Sequence, residues 1–350
     1  MTRTTESPRS RYDSHVGFIP SDMPEKTAEL QQMMSMLENT NKPILYVTTS
    51  LANTQHKVAM AEIVAGGENE LRMRPFAANY INITAPLRHD PESIDKLLFL
   101  SEKRLPFVYR PAIVTRGLTT PITIPAFLAV NNAAALAGLV LSQLKREGAP
   151  FVRCSSAGGT FDMQTTVGIH SAPEVRGFNE DLAHFYDQPC FGIGGTSASK
   201  AVDEQAALEA ALTLITSTLA GAQLIHDVGY MDSGTSTSLI HVVICHEIIS
   251  WIKHYMKGLD INDETLALDL IEDVGTDGLF IDTAHTFEHF REDEYPELRD
   301  HQRYGDWLRQ GGKTLKDRAK VKVDEILESH EPQGLKPAIR DKLQKIVESK

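Results

Sequence analysis

Cysteine is scarce in this chain. Its 350 residues include three cysteines, Cys154, Cys190 and Cys245, which are widely spaced and form no CxxC pair. Such a set cannot provide the disulfide framework of a small secreted domain. We therefore expect a reducing, cytoplasmic compartment, and we interpret the thiols as packing residues, since a buried cysteine behaves as a small apolar side chain.

The chain also lacks an excess of basic charge. Lysine and arginine total 35, whereas aspartate and glutamate total 47, which gives a formal net charge of −12. This charge repels a phosphate backbone unless the basic residues cluster on one face, and the sequence contains no such cluster. Nucleic acid is therefore excluded as an expected partner.

Uninterrupted apolar runs are missing as well. The most apolar stretch, residues 124–144, contains two asparagines, a serine and a glutamine, which would be costly without partners in hydrocarbon. This stretch predicts a buried helix of a soluble protein and no membrane span. Residues 1–14 are polar, lack the apolar core of a secretory signal, and predict a disordered tail.

Short β-branched or aromatic runs alternate with helical patterns along the rest of the chain, as in repeated βαβ units. The candidate strands are residues 15–20, 44–49, 80–86, 107–113, 151–156, 190–195, 222–229 and 278–282. The main helical patterns are residues 25–38, 91–104, 125–147, 173–187, 204–220 and 238–257, followed by 264–275 and 315–350. Eight alternations predict an α/β fold, a closed (β/α)8 TIM barrel with additional C-terminal helices, forming a single domain over residues 15–350.

An open Rossmann-like sheet is the competing architecture. No candidate strand is followed by GxGxxG, and the nearest glycine-rich turn, GIGGTSAS at residues 192–199, lacks the full spacing. The open sheet therefore ranks second. In a barrel, function lies at the carboxyl ends of the strands, so the polar residues that follow the candidate strands are the ones to consider.

Several stretches carry a resemblance to a known family. They are residues 41–49 (NKPILYVTT), 65–76 (AGGENELRMRPF), 85–93 (APLRHDPES), 117–144 (beginning GLTTPITIP), 219–234 (LAGAQLIHDVGYMDSG) and 266–291 (LALDLIEDVGTDGLFIDTAHTFEHFR). Together they resemble the trimethylamine methyltransferase family of corrinoid-dependent enzymes, in its branch without pyrrolysine.

The resemblance implies a fold, a reaction and a partner. Family members are (β/α)8 barrels that present a methylamine to a separate corrinoid protein, whose Co(I) accepts the methyl group. Because this sequence contains only standard residues, the resemblance implies a quaternary amine such as glycine betaine rather than trimethylamine. Typical members also carry an N-terminal helical region that about a dozen tail residues replace here, so a shortened member or a fragment is expected.

Two groups of residues are candidates for the methyl donor. His226 and Asp227 lie at an apolar strand end and are expected to face a wet cavity or each other, with a catalytic role; a satisfied interior histidine is the alternative. Tyr109, Phe161 and Tyr230 are aromatic candidates for cation–π contacts, each worth roughly 0.5–2 kcal/mol, although any of them could instead fill the core.

Further candidates concern the carboxylate and the corrinoid. Arg110 could hold a substrate carboxylate with its forked guanidinium or form a structural ion pair. Gly194, Gly195 and Thr196 could receive the edge of the corrinoid at their backbone amides, or they could simply form a tight turn. His285, beside the eighth candidate strand, is expected at the mouth of the barrel as a substrate contact.

The histidine pattern near residue 285 leaves an alternative function open. His285, Glu288 and His289 spell HxxEH, a zinc-hydrolase pattern that places both histidines on one helix face. No downstream motif marks a third ligand, so we expect no metal. A non-catalytic family relative is a further alternative, and we expect a homo-oligomer.

Overall fold

The structure, a computed structural model, describes residues 15–16, 22–83, 87–111, 115–156, 158–169, 171–292 and 297–349. It is built on one parallel sheet of seven strands. These are β1 (His15–Val16), β2 (Ile44–Tyr46), β3 (Ala77–Asn82), β4 (Phe107–Arg110), β5 (Phe151–Cys154), β6 (Cys190–Ile193) and β7 (Leu224–His226). A small antiparallel hairpin, β8 (Tyr230–Met231) and β9 (Ser236–Thr237), follows. The predicted tail, residues 1–14, and residues 17–20 of the first candidate strand lie outside the described residues.

Fourteen helices occur in the described part of the chain. They are α1 (Glu25–Asn39), α2 (Leu51–Ala65), α3 (Glu68–Met73), α4 (Pro91–Lys103), α5 (Ile124–Lys145), α6 (Arg176–Phe185), α7 (Glu204–Leu219), α8 (Leu239–Met256), α9 (Asp263–Leu266), α10 (Leu268–Val274), α11 (Ala284–His289), α12 (Tyr304–Arg309), α13 (Leu315–Ser329) and α14 (Pro337–Glu348). Short 3₁₀ turns, Pro173–Val175 and Asp232–Gly234, complete the regular structure.

The strand order distinguishes the two predicted architectures. The seven strands are parallel and neighbour one another in chain order, from β1 to β7. Because crossovers between parallel strands are right-handed, this order places the connecting helices on one face, whereas a Rossmann-like sheet reverses its order and carries helices on both faces. The α/β architecture of a TIM-like fold is thus confirmed at this coarser level, and the open doubly wound sheet is wrong.

The eighth predicted strand, residues 278–282, is not a strand. It forms the turn between α10 and α11, and the side chains of Leu279 and Ile281 are 75% and 80% exposed. The Phe280 carbonyl accepts hydrogen bonds from the Thr283 and Thr286 hydroxyls, so it is engaged in a local turn instead of a ladder. The apolar run within residues 278–282 is too short to indicate a strand reliably. The threonines that follow it favour capping of α11 over strand pairing. Within the described residues, β7 therefore has β6 as its only ladder partner.

The two faces of the sheet have different surroundings. One face packs against the surrounding helices and contributes Ile44, Ile81 and Phe107 to the main core. The opposite, inner face carries a smaller apolar cluster that includes Leu45 and Val108. Since side chains alternate along a strand, neighbouring residues of β3, β4 and β5 belong to different surroundings.

Helix α5 is buried on one face and exposed on the other. Phe127 and Ala134 are buried where α5 packs against β4 and β5, but Val140 and Leu144 are 54% and 79% exposed. The expectation of a buried helix is therefore met on one side only. Among the described helices, α5 is the one whose length and apolar composition would also suit a membrane crossing, a test that helices packed on a sheet pass as well.

The predicted C-terminal helix is divided in two. Residues 330–336, which include Pro332, interrupt it, so that α13 packs against α8 while α14 packs against α1 and α2. Leu343 and Val347 of α14 are buried in the main core. Arg340 of α14 also pairs with Glu38 of α1 at 2.7 Å. The end of the described chain thus covers its first helices.

Candidate functional site

Five side chains from neighbouring strands converge on the inner face of the sheet. We call Tyr80, Arg110, Cys154, Phe191 and His226 the inner-face cluster. The Tyr80 hydroxyl lies 3.4 Å from Cys154 Sγ, which in turn lies 3.7 Å from His226 Nε2. The ring of His226 stacks on Phe191 with centroids 4.5 Å apart, and it meets Tyr80 edge to face at 5.5 Å. All five side chains are buried.

His226 and Asp227 form the central ion pair of the site. His226 is the last residue of β7, and its Nδ1 lies 2.7 Å from Asp227 Oδ1. Asp227 adopts φ +70°, a left-handed conformation that aspartate tolerates better than most residues. This turn brings the carboxylate back onto the imidazole of its own neighbour. The predicted pair therefore faces inward and each member is the other's partner.

The carboxylate changes the protonation of the histidine. Burial alone would lower the pKa of His226, but the charge and hydrogen bond of Asp227, assisted by Cys154, raise it to about 9. At neutral pH the imidazole is therefore cationic. Its two ring nitrogens are directed to Asp227 and Cys154, which fixes the orientation of the ring.

Arg110 brings a second buried cation. Burial would lower its pKa, yet the neighbouring Tyr80, Cys154 and Asp227 raise it above the usual arginine value. The side chain is buried, and its Nε and Nη2 atoms have no hydrogen-bond partner among the described residues. Buried guanidinium nitrogens without partners are unusual because their desolvation is expensive. Arg110 thus has donors available for an anionic group.

Arg176 and Glu180 of α6 complete the charged surroundings of the site, and neither residue was predicted from the sequence. They are fully buried, one helical turn apart. Burial lowers the pKa of Arg176 to about 10, against the opposing charges of Asp227 and Glu180. Burial raises the pKa of Glu180 to about 7, although the Ser155 hydroxyl donates a hydrogen bond to its Oε1 at 2.8 Å. The detectable signal was two charged residues on the apolar side of an amphipathic helix.

Of the three predicted aromatic contacts, Tyr230 lies near the ion pair. Its backbone N–H donates to the Asp227 carbonyl at 3.0 Å. Burial, with a contribution from the Asp227 charge, raises the pKa of Tyr230 to about 12. Phe161 lies farther out, in the β5–α6 loop, where it bridges Gly168 and its N–H donates to the Arg116 carbonyl.

Tyr109 does not reach the inner face. It precedes Arg110 on β4 and therefore points to the opposite side, where its ring packs near Phe151 and stacks on His89. Gly138 of α5 lies against this ring so closely that a Cβ there would overlap it. The interpretation of Tyr109 as a substrate contact is corrected: strand alternation makes it a core residue.

The three residues predicted to receive the corrinoid are enclosed by the chain itself. The Gly194 N–H donates to the His226 carbonyl, and the Gly195 N–H donates to Thr213 Oγ1. Gly195 needs its glycine because φ is +75° and a Cβ would contact the Val228 backbone at 3.0 Å. Thr196 is fully buried. These amides do not fit the edge of a group that another protein carries, and the tight-turn alternative explains them.

His285 lies in α11, away from any strand end, because the eighth strand next to which it was expected does not exist. Its ring packs against His289 with centroids 4.5 Å apart. Glu288, the central acid of the HxxEH pattern, is exposed and is not among the residues grouped with these histidines. The zinc-hydrolase alternative is therefore not favoured.

The charges at the inner face determine what it can bind. Arg110, Arg176 and His226 are cationic at neutral pH, whereas the acids beside them are Asp227, which pairs with His226, and Glu180, whose pKa is about 7. Positive charge therefore exceeds negative charge in a buried environment, where unpaired charge is costly. Such a site is complementary to a small anion, and its aromatic rings can also contact apolar or cationic groups.

The chain is similar in sequence to a family of methyltransferases. The family model described as trimethylamine methyltransferase (MTTB) matches residues 7–350. The chain is 32% identical to a trimethylamine methyltransferase of Desulfitobacterium hafniense, over 94% of this chain and 66% of that protein. It is 29% identical to a glycine betaine methyltransferase of the same species, over 94% and 69%, and 28% identical to a trimethylamine methyltransferase of Methanosarcina barkeri, over 91% and 65%. The chain thus spans about two thirds of the length of these relatives.

Proposed function

Because the chain belongs to the trimethylamine methyltransferase family, we propose that it transfers a methyl group from a quaternary amine of the glycine betaine kind to a corrinoid carried by a separate protein. Relatives named for both trimethylamine and glycine betaine support a methylated amine as the donor. We further propose that β1 to β7 belong to a (β/α)8 barrel, which their sequential parallel order supports.

Arg110 is the observation that carries the choice of donor. A simple methylated amine is cationic or neutral and offers no acceptor to a buried guanidinium whose Nε and Nη2 lack partners among the described residues. A betaine carries a carboxylate, which can accept two parallel hydrogen bonds from such a fork. Arg176 and His226 add further positive charge near Arg110, which favours the same carboxylate. The proposed donor is therefore an amine that also bears a carboxylate.

The ammonium end of the donor needs a different environment. Asp227 provides a carboxylate whose charge acts on the Tyr230 side chain, and a cation–π contact with that ring would contribute roughly 0.5–2 kcal/mol. With its carboxylate near Arg110 and its ammonium group near Asp227, the donor lies across the inner face of the sheet. The protein then orients the donor and shields it from water.

The proposed reaction requires no proton transfer by the side chains of this protein. A quaternary ammonium that loses a methyl group leaves as a neutral tertiary amine, so no general acid is required. The corrinoid, on its own protein, supplies the reduced cobalt that accepts the methyl group. His226, paired with Asp227, contributes a fixed positive charge rather than a mobile proton.

A methyl-transfer assay tests the proposal. The chain is mixed with a Co(I) corrinoid protein and, in turn, with glycine betaine, a quaternary amine without a carboxylate, and trimethylamine, while the cobalamin absorbance is followed. Methylation with the betaine is the expected result. If no amine in the panel changes the spectrum while the chain is folded, the catalytic assignment is wrong.

Substitution of Arg110 separates carboxylate binding from the reaction. Arg110→Lys keeps the charge but loses the fork, so we expect KM for the betaine to rise about tenfold, the equivalent of one hydrogen bond to a charged group. The exposed arginine substitution Arg72→Lys is the matched control and should leave KM unchanged. An unchanged KM in Arg110→Lys would contradict the proposed carboxylate contact.

A further inference from the structure

Residues 258–292, which follow α8, form a segment that has no hydrophobic core of its own. It contains α9, α10 and α11, and none of its residues is buried. Apolar burial, the usual source of stability, therefore contributes little to the contact between α9 and α11. The contact between these two helices consists of polar side chains instead.

Glu264, His285 and His289 meet at this contact. His289 Nε2 lies 2.6 Å from Glu264 Oε1, across 25 positions of sequence. One nitrogen or oxygen from each of the three residues lies within 4.8 Å of the others. The other ring nitrogen of His289, Nδ1, lies 2.9 Å from Glu292 Oε1. Two imidazoles and a carboxylate thus converge on one point at the surface.

We propose that Glu264, His285 and His289 bind a divalent transition-metal ion such as zinc, which links α9 to α11. Imidazole nitrogen and carboxylate oxygen bind zinc at about 2.0–2.2 Å, so ligand atoms around a tetrahedral ion lie about 3.3 Å apart. The three groups need only small side-chain adjustments to reach that spacing. Water can occupy the remaining position.

Glu292 has a supporting part in this site. A metal-bound histidine commonly donates its second ring N–H to a carboxylate, which fixes the tautomer and the ring orientation. With His289 binding through Nε2, its Nδ1–H donates to Glu292 in that manner. Glu292 is therefore a positioning residue rather than a ligand.

The proposed ligand set differs from the HxxEH pattern. The third ligand is Glu264, which lies outside that pattern, and Glu288, which lies inside it, is not used. The site therefore acts as a cross-link and carries no hydrolytic role. Metal sites of this kind stabilise segments that are too small to bury a core of their own.

Metal titration of the full chain tests the proposal. The protein is freed of metal with a chelator and titrated with Co²⁺, whose visible absorbance reports tetrahedral coordination, and with Zn²⁺ in a calorimeter. We expect one equivalent to bind, and we expect at least tenfold weaker binding in Glu264→Gln, His285→Ala and His289→Ala. Because these residues are at the surface, the variants should fold.

Two controls make the outcome decisive. Glu288→Gln, within the same helix, and His301→Ala, at another exposed histidine, should bind zinc like the parent chain. Zinc should also slow proteolysis within residues 258–292 of the parent chain but not of Glu264→Gln. Absence of metal binding, or loss of binding in Glu288→Gln with retention in Glu264→Gln, would overturn the assignment.

Discussion

At the residue scale, buried titratable groups dominate the candidate site. His226 is held cationic by Asp227, while burial keeps Glu180 partly neutral. A group whose pKa rises on folding stabilises the fold below its unfolded pKa, and this contribution disappears as the pH passes the folded pKa. The two residues therefore make stability depend on pH in overlapping but distinct ranges.

The ion pair of His226 should stabilise the chain at low rather than high pH. Its pKa rises from 6.5 to about 9, so the contribution is complete below about pH 6.5 and lost as the pH rises through 9. This difference corresponds to on the order of 3 kcal/mol. The free energy lost in His226→Gln, measured by urea unfolding, should be larger at pH 6 than at pH 9.5. A loss that is the same at both values would contradict the raised pKa.

Glu180 offers a stabilising substitution. Its folded pKa of about 7 exceeds the ordinary 4.5, so rising pH destabilises the fold between these values. Glu180→Gln mimics the protonated acid and keeps an acceptor for Ser155. We expect its melting temperature to match the parent near pH 4.5 and to exceed it at pH 8, and the exposed Glu102→Gln should show no such trend. A variant that is less stable at pH 8 would refute this interpretation.

The residues that the sequence predicted at the site illustrate what a pattern can resolve. His226, Asp227, Arg110 and Tyr230 were predicted because polar groups at strand ends are expected to converge, and the structure brings these four into one region. Tyr109 was misplaced because a strand end says nothing about which face a side chain takes until the register is known.

At the element scale, the helices were the most predictable feature. The patterns for α1, α4, α5, α7 and α8 match the observed bounds within two residues at each end. Strands were less predictable, since β3 begins three residues before its candidate run and residues 278–282 are a turn. Helical periodicity extends over many residues, whereas a three-residue apolar run cannot distinguish a strand from a turn.

Helix α14 should contribute strongly to stability although it lies near the end of the described chain. Leu343 is fully buried against the main core. Leu343→Ala removes buried surface and leaves a cavity, which costs about 2–5 kcal/mol. Val321→Ala, at a position on α13 that is 43% exposed, is the control and should cost much less in chemical unfolding. Equal effects would show that α14 is not integral to the core.

At the scale of the whole molecule, two parts of the described surface expose large apolar side chains. Segment 258–292 exposes Leu279, Ile281 and Phe287 by 75% to 80%. Helix α5 exposes an apolar face and has no charged residue before Lys145. Large exposed apolar patches commonly mark interfaces. The uncharged face of α5 can pack against the acidic, apolar segment 258–292 of another copy without like-charge repulsion. This supports a second copy of the chain as the partner.

We therefore expect the chain to self-associate through segment 258–292. The double substitution Leu279→Asp with Ile281→Asp changes two exposed side chains, so it should reduce the mass measured by light scattering without changing the fold. Leu219→Asp, at an exposed position of α7, should leave the mass unchanged. A parent chain that is monomeric at micromolar concentration would refute the expectation.

Sequence alone could not show how the C-terminal helices pack against the first helices. The alternation of strands and helices predicted an eighth βα unit next to the first, but α13 and α14 lead from α8 back to α1. This path depends on Leu343 and Val347 packing against residues about 300 positions earlier. Long-range packing between amphipathic helices leaves no local signal in the sequence.

The pairing of α14 with α1 has a consequence for synthesis on the ribosome. The apolar side of α1 is synthesised about 300 residues before the helix that covers it, which corresponds to roughly 15–60 s at ordinary elongation rates. During that interval the nascent chain presents a methionine-rich surface that chaperones can bind. Maturation of the first βα unit is thus coupled to the synthesis of α14 through Leu343.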